Sequence, residues 1–244
     1  MNACNRGAEC GRISAIETMG LVDGPGVRTV VFLQGCPLRC KYCHNPETWD
    51  PQRGGTVYTP ERLAKSVLRY KSYMKHGGVT FSGGEPLLQA AFLAKASALL
   101  KENGIHICLD TAGAVSERPE RVPGLLELLD RTDLVLLDLK AADPVRYEEI
   151  TGSRMEPFLA FLDLLQRKKK RLWLRSVIVP GINNEPKEIA ALQRFGAAIK
   201  NVDKIEFLPY HTMGVGKYAA LGIEYPLKGI PALSEEEIHF PKNA

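Results

Sequence analysis

The chain has 244 residues, of which 45% are apolar and 25% charged, and its formal net charge is +4. This length suits one well-buried α/β domain, so we expect a single domain over residues 1–244, with residues 1–10 as a flexible tail. The mild charge does not indicate a nucleic-acid partner, and no apolar run approaches the roughly 18 to 20 residues of a membrane span. Six cysteines are too few for a disulfide framework and fit a reducing compartment, which predicts a cytoplasmic protein.

Short apolar runs alternate with amphipathic patterns along the chain. The apolar runs predict β-strands at residues 29–33, 79–81, 106–109, 134–139, 172–179 and 204–208. The amphipathic patterns predict helices at residues 60–75, 89–102, 120–130, 157–169 and 186–200. The first of these helices has Thr59 as a candidate N-cap and Pro60 at its first position. This alternation predicts parallel βαβ units joined by right-handed crossovers.

Glycines, a cysteine or polar residues stand at the carboxyl end of each predicted strand. They are Gly35 with Cys36, Ser82 to Glu85, Asp110 with Thr111, Asp138 with Lys140, Arg175 with Pro180 and Gly181, and Pro209 to His211. Active sites of parallel α/β barrels collect at that end of the strands. Six such units predict an α/β fold with an open, partial (β/α)6 TIM-like barrel, and a flavodoxin-like doubly wound sheet is the alternative.

Three cysteines, Cys36, Cys40 and Cys43, have the spacing C-x3-C-x2-C, and no fourth cysteine lies nearby. Structural zinc sites take four ligands, and ordinary electron-transfer clusters usually have four cysteines. A compact trio therefore favours an iron–sulfur cluster with one iron open to a small molecule. The alternative is a structural zinc site completed by His44, which directly follows Cys43 and can hardly reach the same ion.

This spacing, with Tyr42 just before the last cysteine, resembles the signature of the radical S-adenosylmethionine (SAM) enzymes. The resemblance extends to the family of pyruvate formate-lyase activating enzymes and covers nearly the whole chain from Gly11 to about Ile238. Seven blocks carry it: VDGPGVR (22–28), FLQGCPLRCKYCHNPETWD (32–50), GGVTFSGGEPLLQ (77–89), GIHICLDTAG (104–113), DLVLLDLK (133–140), VIVPGIN (177–183) and KIEFLPYHTMG (204–214).

The resemblance implies a radical SAM barrel that activates formate C-acetyltransferase, the pyruvate formate-lyase of anaerobic metabolism. It implies a 4Fe-4S cluster on Cys36, Cys40 and Cys43, with SAM on the open iron. Reductive cleavage would give methionine and a 5′-deoxyadenosyl radical, which takes hydrogen from a glycine of the partner, with no catalytic side chain beyond cluster and cofactor. Flavodoxin or ferredoxin is the implied reductant, and we expect a monomer. Alternatives are an activase of another glycyl radical enzyme, or a non-catalytic iron–sulfur or zinc protein.

The resemblance also implies which residues contact SAM and a neighbouring monovalent cation. The SAM residues are Tyr42, Cys43, His44, Gly83, Gly84, Glu85, Asp138, Leu139, Lys140, Arg175 and His211. The cation ligands are Asp110, Thr111, Asp138 and the backbone carbonyl of Leu136. The residues alone leave plainer alternatives open: an Asp138–Lys140 ion pair, a tight turn at the two glycines, and a satisfied core histidine at position 211.

The segment DGPG at residues 23–26 is implied as part of the docking site for the partner, with Asp23 accepting its backbone N–H groups. On its own the segment is equally compatible with an ordinary Pro-Gly turn. Residues 45–78 contain no cysteine, unlike relatives with a ferredoxin-like insert, which predicts a single cluster. Cys4 and Cys10 match nothing in the family, and a flexible tail is favoured over a second metal site.

Overall fold

The computed structural model describes residues 10–74 and 76–238. Its eight strands are β1 (Gly11–Gly20), β2 (Arg28–Leu33), β3 (Thr56–Tyr58), β4 (Gly78–Gly83), β5 (His106–Thr111), β6 (Leu134–Asp138), β7 (Leu172–Ile178) and β8 (Val202–Pro209). The α-helices are α1 (Pro60–Leu68), α2 (Ala90–Glu102), α3 (Leu125–Arg131), α4 (Pro144–Thr151), α5 (Glu156–Arg167), α6 (Pro186–Ala197) and α7 (Val215–Leu221). Cys4 and nearly all of the predicted tail lie outside the described residues.

The strands form one sheet in the order β3-β1-β2-β4-β5-β6-β7-β8. The six strands from β2 to β8, leaving out β3, run parallel, and each is placed beside its predecessor. A doubly wound sheet would instead reverse direction and add strands on both sides of the first one. Since β3 and β8 end the sheet without pairing to each other, the barrel is open, and the predicted partial (β/α)6 fold is confirmed.

The sequence analysis missed the antiparallel edge of the sheet. Strand β1 pairs antiparallel with both β2 and β3, with an irregularity in its pairing with β2 between Ile13 and Ala15. Buried and partly exposed residues alternate over its first four positions, and most of its remaining residues are exposed. Because this alternation is so short, the sequence gives only a weak strand signal here, which explains why β1 was not predicted.

Three predicted helices have different ends in the structure. The hydroxyl of Thr59 accepts from the amide of Arg62 (3.2 Å), as predicted for the N-cap, but α1 stops at Leu68 rather than at residue 75. Helix α3 starts at Leu125, because Gly124 has a φ of 76° and Pro123 precedes it. Helix α6 ends at Ala197 instead of residue 200.

Helices α4 and α7 were not predicted, although α4 has a readable start. The carboxylate of Asp143 accepts from the amide of Arg146 (3.0 Å), and Pro144 occupies the first helical position. Each of these helices has at most eight residues, which is too short for a clear 3.6-residue pattern.

The main core lies between the sheet and its helices, where strand residues such as Phe81, Leu109 and Val135 are fully buried. The opposite face of the sheet encloses the lumen of the barrel. A small apolar group of Cys108, Leu134 and Leu136 closes its base. The buried Arg28 lies near this group and donates to the hydroxyl of Thr80 (2.6 Å), and further polar side chains stand toward the carboxyl ends of the strands. No helix in the described ranges is long and apolar enough to span a membrane.

Candidate active site

A cavity of about 230 Å³ opens at the carboxyl ends of the parallel strands. Most residues predicted to bind the cluster, SAM or the cation line it: Cys36, Cys40, Tyr42, Cys43, His44, Gly83, Gly84, Asp110, Thr111, Asp138, Lys140 and Arg175. Five others stand around it without lining it, namely Asp23, Glu85, Leu136, Leu139 and His211. The parallel strand order brings these distant parts of the sequence together, because all the strands end at one rim.

The loop that carries the cysteines leaves β2 and closes back on itself. The amide of Gly35 donates to the carbonyl of Thr48 (2.7 Å). The side-chain amide of Gln34 donates to two more carbonyls of the returning segment 47–50, at 2.7 and 2.9 Å. Because Gln34 is buried, these bonds are shielded from water and hold the loop in one shape around the cavity.

The cysteine thiols lie in dry surroundings that suit a metal cluster. Burial raises the pKa of Cys36 to about 12 and that of Cys40 to about 11, and it also raises the pKa of Cys43. The thiolate is the form that binds metal, and a buried thiolate needs a positive charge beside it, which iron supplies. Within the described residues, no three His, Cys, Asp or Glu side chains form a ready-made metal site. Cysteines that each bind a different iron need not converge as the ligands of one zinc ion do.

The two glycines after β4 pack directly against the cysteine loop. Gly83 has a φ of 107°, a conformation that side chains other than glycine rarely adopt. A Cβ atom at Gly84 would overlap the carbonyl oxygen of Gly35 and lie 3.3 Å from the Cβ of Cys36. Both positions therefore need glycine, and their backbone is exposed to the cavity where a ligand can approach it.

Glu85 follows the glycines but turns away from the cavity. It is fully buried, and its carboxylate accepts from the hydroxyl of Thr111 (2.6 Å) and from the amides of Leu87 (3.0 Å) and Ala112 (3.1 Å). Burial raises its pKa to about 7 against these hydrogen bonds, which favour the charged form. In this arrangement Glu85 fixes the glycine turn to the end of β5.

Glu85 should make stability depend on pH. Because its folded-state pKa is raised, the unfolded chain ionises first as the pH rises, so the free energy of unfolding should fall between about pH 5 and pH 8. In Glu85→Gln this contribution is absent. Urea unfolding of both proteins at the two pH values should show that the higher pH lowers the free energy of unfolding of the wild-type protein more than that of the variant. A stability difference that stays constant with pH would contradict this expectation.

Two carboxylates face the cavity from β5 and β6. Asp110 accepts from the hydroxyl of Ser82 (2.6 Å), and burial, together with Asp138, raises its pKa to about 6. Asp138 forms an ion pair with Lys140 (2.6 Å). Burial disfavours the Lys140 ammonium, but Asp138 outweighs this effect and raises the pKa of Lys140. The plain ion pair proposed as an alternative is therefore present, and both its members also line the cavity.

The other residues predicted around the cation and SAM are engaged with the protein itself. The hydroxyl of Thr111 is committed to Glu85, and the side chain of Leu136 lies in the apolar base of the lumen. The amide of Leu139 donates to the carbonyl of Arg175 (2.8 Å), and its own carbonyl accepts from Ser176 (2.8 Å). The side chains of Thr111 and Leu136 and the backbone of Leu139 are therefore occupied within the protein in this structure.

An aromatic wall closes one side of the cavity. The rings of His44 and His211 stack at 3.8 Å, and burial lowers the pKa of both imidazoles. The hydroxyl of Tyr42 and Nδ1 of His211 are buried, and neither has a hydrogen-bond partner within the described residues. Buried polar atoms are rarely left unpaired, and Tyr42 lines the cavity, so its hydroxyl suits a polar ligand, whereas His211 stands behind His44 without lining the cavity.

Asp23 lies on the segment between β1 and β2, below the cavity. Its backbone carbonyl accepts from the hydroxyl of Thr80 (2.6 Å), and the buried Arg28 donates to the carbonyl of Pro25 (2.9 Å). Burial raises the pKa of the Asp23 carboxyl, while Arg175 and Arg28 oppose that shift. The segment is thus anchored by its backbone rather than standing free as a simple turn.

Sequence reasoning overlooked Glu206 on β8 and Tyr218 on α7. The hydroxyl of Tyr218 donates to the carbonyl of Cys43 (3.1 Å), so α7 covers the cysteine loop. Glu206 pairs with Arg175 through Nε (3.2 Å). The signal for Glu206 was available in the sequence. It lies two residues from both Lys204 and Leu208 on a predicted strand, so the three side chains share one face.

Comparison with known proteins agrees with this geometry. Residues 30–192 match the Radical SAM superfamily. The chain is 48% identical over 229 residues to the pyruvate formate-lyase-activating enzyme of Clostridium pasteurianum, with 93% of each chain covered. It is 42% identical over 231 residues to that of Listeria monocytogenes, again with 93% of each covered. The chain belongs to the family of pyruvate formate-lyase-activating enzymes, within the Radical SAM superfamily.

Solved structures place the fold in the same superfamily. A domain of pyruvate-formate lyase-activating enzyme from Bacteroides vulgatus superposes with a TM-score of 0.51 and 26% identity, covering 66% of this chain and 88% of that one. Streptococcus suis SuiB, bound to its precursor peptide SuiA, gives a TM-score of 0.60 at 17% identity over 75% of this chain and 39% of that one, a likeness of fold alone. Radical SAM enzymes use a 4Fe-4S cluster and SAM, and the cavity offers three cysteines and unpaired polar groups to hold them.

Proposed function

We propose that this chain activates pyruvate formate-lyase, also called formate C-acetyltransferase, by generating a glycyl radical on it. The observation that carries the proposal is the cavity that gathers the cysteine trio, the glycine turn and the carboxylates of Asp110 and Asp138 at one rim. Relatives that bear the name of this activity match the chain over 93% of its length. A structural zinc protein or a simple electron carrier would have no use for the glycine turn or the Asp138–Lys140 pair.

When bound, the 4Fe-4S cluster and SAM supply one-electron cleavage of a sulfur–carbon bond and a carbon radical able to take hydrogen from glycine. The task of the protein is to hold the reacting groups and to exclude water. Cys36, Cys40 and Cys43 hold the cluster, and the backbone of Gly83 and Gly84 receives the methionine end of SAM. Tyr42 meets its adenosine end through the hydroxyl that lacks a partner among the described residues, and His211 supports that end from behind His44.

Asp110 and Asp138 would hold a monovalent cation beside the SAM carboxylate. Both carboxylates line the cavity, and each is only partly neutralised, Asp138 by Lys140 and Asp110 by Ser82 and a distant Arg175 guanidinium at 3.9 Å. A cation would offset the repulsion between them, which contributes to the raised pKa of Asp110. Thr111 and the backbone carbonyl of Leu136 would complete the predicted set of cation ligands.

The segment at residues 22–27, here called the substrate loop, would receive the glycine-bearing loop of the partner. Three of its carbonyls are fixed, those of Val22 by Arg175, Asp23 by Thr80 and Pro25 by Arg28. The Asp23 carboxyl is thereby held at a set position, where it can accept backbone N–H groups of an incoming chain.

Asp23→Ala tests this assignment. Loss of charge-assisted hydrogen bonds worth on the order of 1.5 to 3 kcal/mol each should sharply weaken partner binding and lower the glycyl radical yield. Slow formation of 5′-deoxyadenosine without the partner should persist, because the cavity is unchanged. Electron paramagnetic resonance measures the radical, and chromatography measures 5′-deoxyadenosine in the same samples.

The matched control is Glu17→Ala, which removes an exposed carboxylate from β1 and should leave both signals intact. Equal loss of both signals in Asp23→Ala would place Asp23 in the cofactor site or the fold. An unchanged radical yield would reduce the segment to an ordinary turn. If the wild-type protein cleaves SAM but forms no radical on pyruvate formate-lyase, another glycyl radical enzyme is its target.

The remaining proposals concern the setting of this activity. We infer a monomeric cytoplasmic enzyme in which residues 1–244 form one radical SAM domain, with flavodoxin or ferredoxin as the electron donor. The cysteine content supports a reducing compartment, because the free thiols Cys36, Cys40 and Cys43 must stay reduced to bind iron.

A further inference from the structure

Arg175 connects the cofactor cavity to the substrate loop. Its side chain is only 9% exposed and lines the cavity, yet one terminal nitrogen donates to the carbonyl of Val22 in the substrate loop. Its Nε donates to Glu206 (3.2 Å), and its other terminal nitrogen lies 3.9 Å from Asp110. A guanidinium has a fixed planar fork of donors, so its orientation decides which of these acceptors it serves.

Glu206 sets that orientation from the last strand of the sheet. It stands directly opposite Arg175 in the register of β7 and β8, and its side chain is 19% exposed. One carboxylate oxygen accepts from Arg175, and the other accepts from Lys204 (2.6 Å), whose ammonium also lies over the ring of Trp173 (4.9 Å). Glu206 is thus held on both sides and acts as a rigid acceptor.

Without Glu206, the Nε–H of the buried guanidinium would lose its acceptor, and the carboxylates of Asp110, Asp138 and Asp23 would remain around Arg175. Asp110 already lies within 3.9 Å of Arg175, and charge attraction in this dry site would draw Arg175 toward it. The bond to the Val22 carbonyl would then weaken, because a rotation of the rigid guanidinium toward Asp110 moves both terminal nitrogens together. The substrate loop would keep its anchors at Thr80 and Arg28, but the one nearest the cavity would loosen.

We propose that Glu206 is a positioning residue for recognition of the protein substrate: it holds Arg175 so that the Val22 carbonyl, and with it the substrate loop, is fixed beside the cavity. This inference rests on the proposed function, since it assigns the loop to partner binding. Glu206 is not among the residues that line the cavity, so its effect should fall mainly on the KM for pyruvate formate-lyase rather than on SAM cleavage.

The test compares Glu206→Ala, Glu206→Gln and Lys204→Met in the reconstituted full chain, with pyruvate formate-lyase as substrate. The rate of glycyl radical formation is measured by electron paramagnetic resonance at several substrate concentrations. Loss of the charge-assisted bond should raise the KM about tenfold in Glu206→Ala. Glu206→Gln keeps an oxygen for the Nε–H and should raise it only about twofold to threefold. Lys204→Met keeps the Arg175 bond but removes one of the two groups that hold Glu206, so it should raise the KM less than Glu206→Ala does.

Partner-free 5′-deoxyadenosine formation and SAM affinity should change by less than the KM for pyruvate formate-lyase in all three variants, because a shift of Arg175 reaches the cavity only at Asp110. An unchanged KM in Glu206→Ala, or a matching loss of partner-free cleavage, would overturn the proposal. If Glu206→Ala does not fold, amide hydrogen exchange of residues 20–27 is measured in Glu206→Gln instead. We expect roughly fivefold faster exchange than in the wild-type protein, and an unchanged rate would contradict the proposal. Absence of any glycyl radical with the wild-type protein would instead refute the proposed function itself.

Discussion

Replacing any one of Cys36, Cys40 and Cys43 with alanine is expected to abolish cluster loading and SAM cleavage. The trio supplies only three protein ligands, so losing one leaves a second iron without an anchor. Cys40 is buried and Cys36 and Cys43 are only partly exposed, so a distant residue cannot easily reach the vacant position. Formation of 5′-deoxyadenosine should fall by about a hundredfold or more, since metal ligands bind as a cooperative set.

The measurement is anaerobic reconstitution of each variant, followed by iron and sulfide analysis and a 5′-deoxyadenosine assay with excess reductant. Cys108→Ala is the control, because Cys108 is also a buried free thiol but lies at the base of the lumen. It should load iron normally at some cost in stability. A Cys43→Ala protein with full iron and full cleavage would show that the trio is not the ligand set. Equal loss in Cys108→Ala would point to general misfolding.

The fold was largely predictable because the six parallel strands are short, apolar and bounded by glycines or polar residues. Strand β5, for example, was predicted at residues 106–109 and extends over His106–Thr111. What failed were elements whose pattern is too short or too mixed, such as β1, β3 and α4. These elements are fixed by tertiary pairing and capping, as with the Asp143 cap of α4, more than by hydrophobic periodicity.

The sequence predicted which residues lie at the candidate site but not where their side chains point. Strand-end positions indicated that Asp110, Asp138 and Arg175 share one rim, and they do line one cavity. Sequence could not reveal that Glu85, adjacent to the glycine turn, points away into the protein, because that depends on the local backbone after Gly83 at a φ of 107°. Nor could it reveal that Arg175 bonds the Val22 carbonyl, a contact across 153 residues of sequence.

Gly84→Ala is expected to impair both SAM binding and cluster loading, although it adds a single methyl group. The new Cβ would overlap the Gly35 carbonyl oxygen, which is itself held by the amide of Glu85 (2.8 Å) and cannot retreat freely. The strain would pass to Cys36, whose Cβ lies 3.3 Å from the added atom. Overpacking of this kind costs about 1 to 3 kcal/mol, so if the strain is relieved by moving the turn, SAM affinity should fall by about fivefold to a hundredfold.

Calorimetric SAM titration of reconstituted protein, together with iron analysis, measures the two effects of Gly84→Ala separately. Gly216→Ala in α7 is the matched control, because a Cβ there meets nothing within 4 Å, and it should bind SAM and iron as the wild-type protein does. Reduced SAM affinity with full iron content would confine the strain to the glycine turn and leave the cysteine loop unmoved. Normal values for both would mean that Gly35 and Gly84 separate easily, and that the close packing of the turn on the cysteine loop is not needed to form the site.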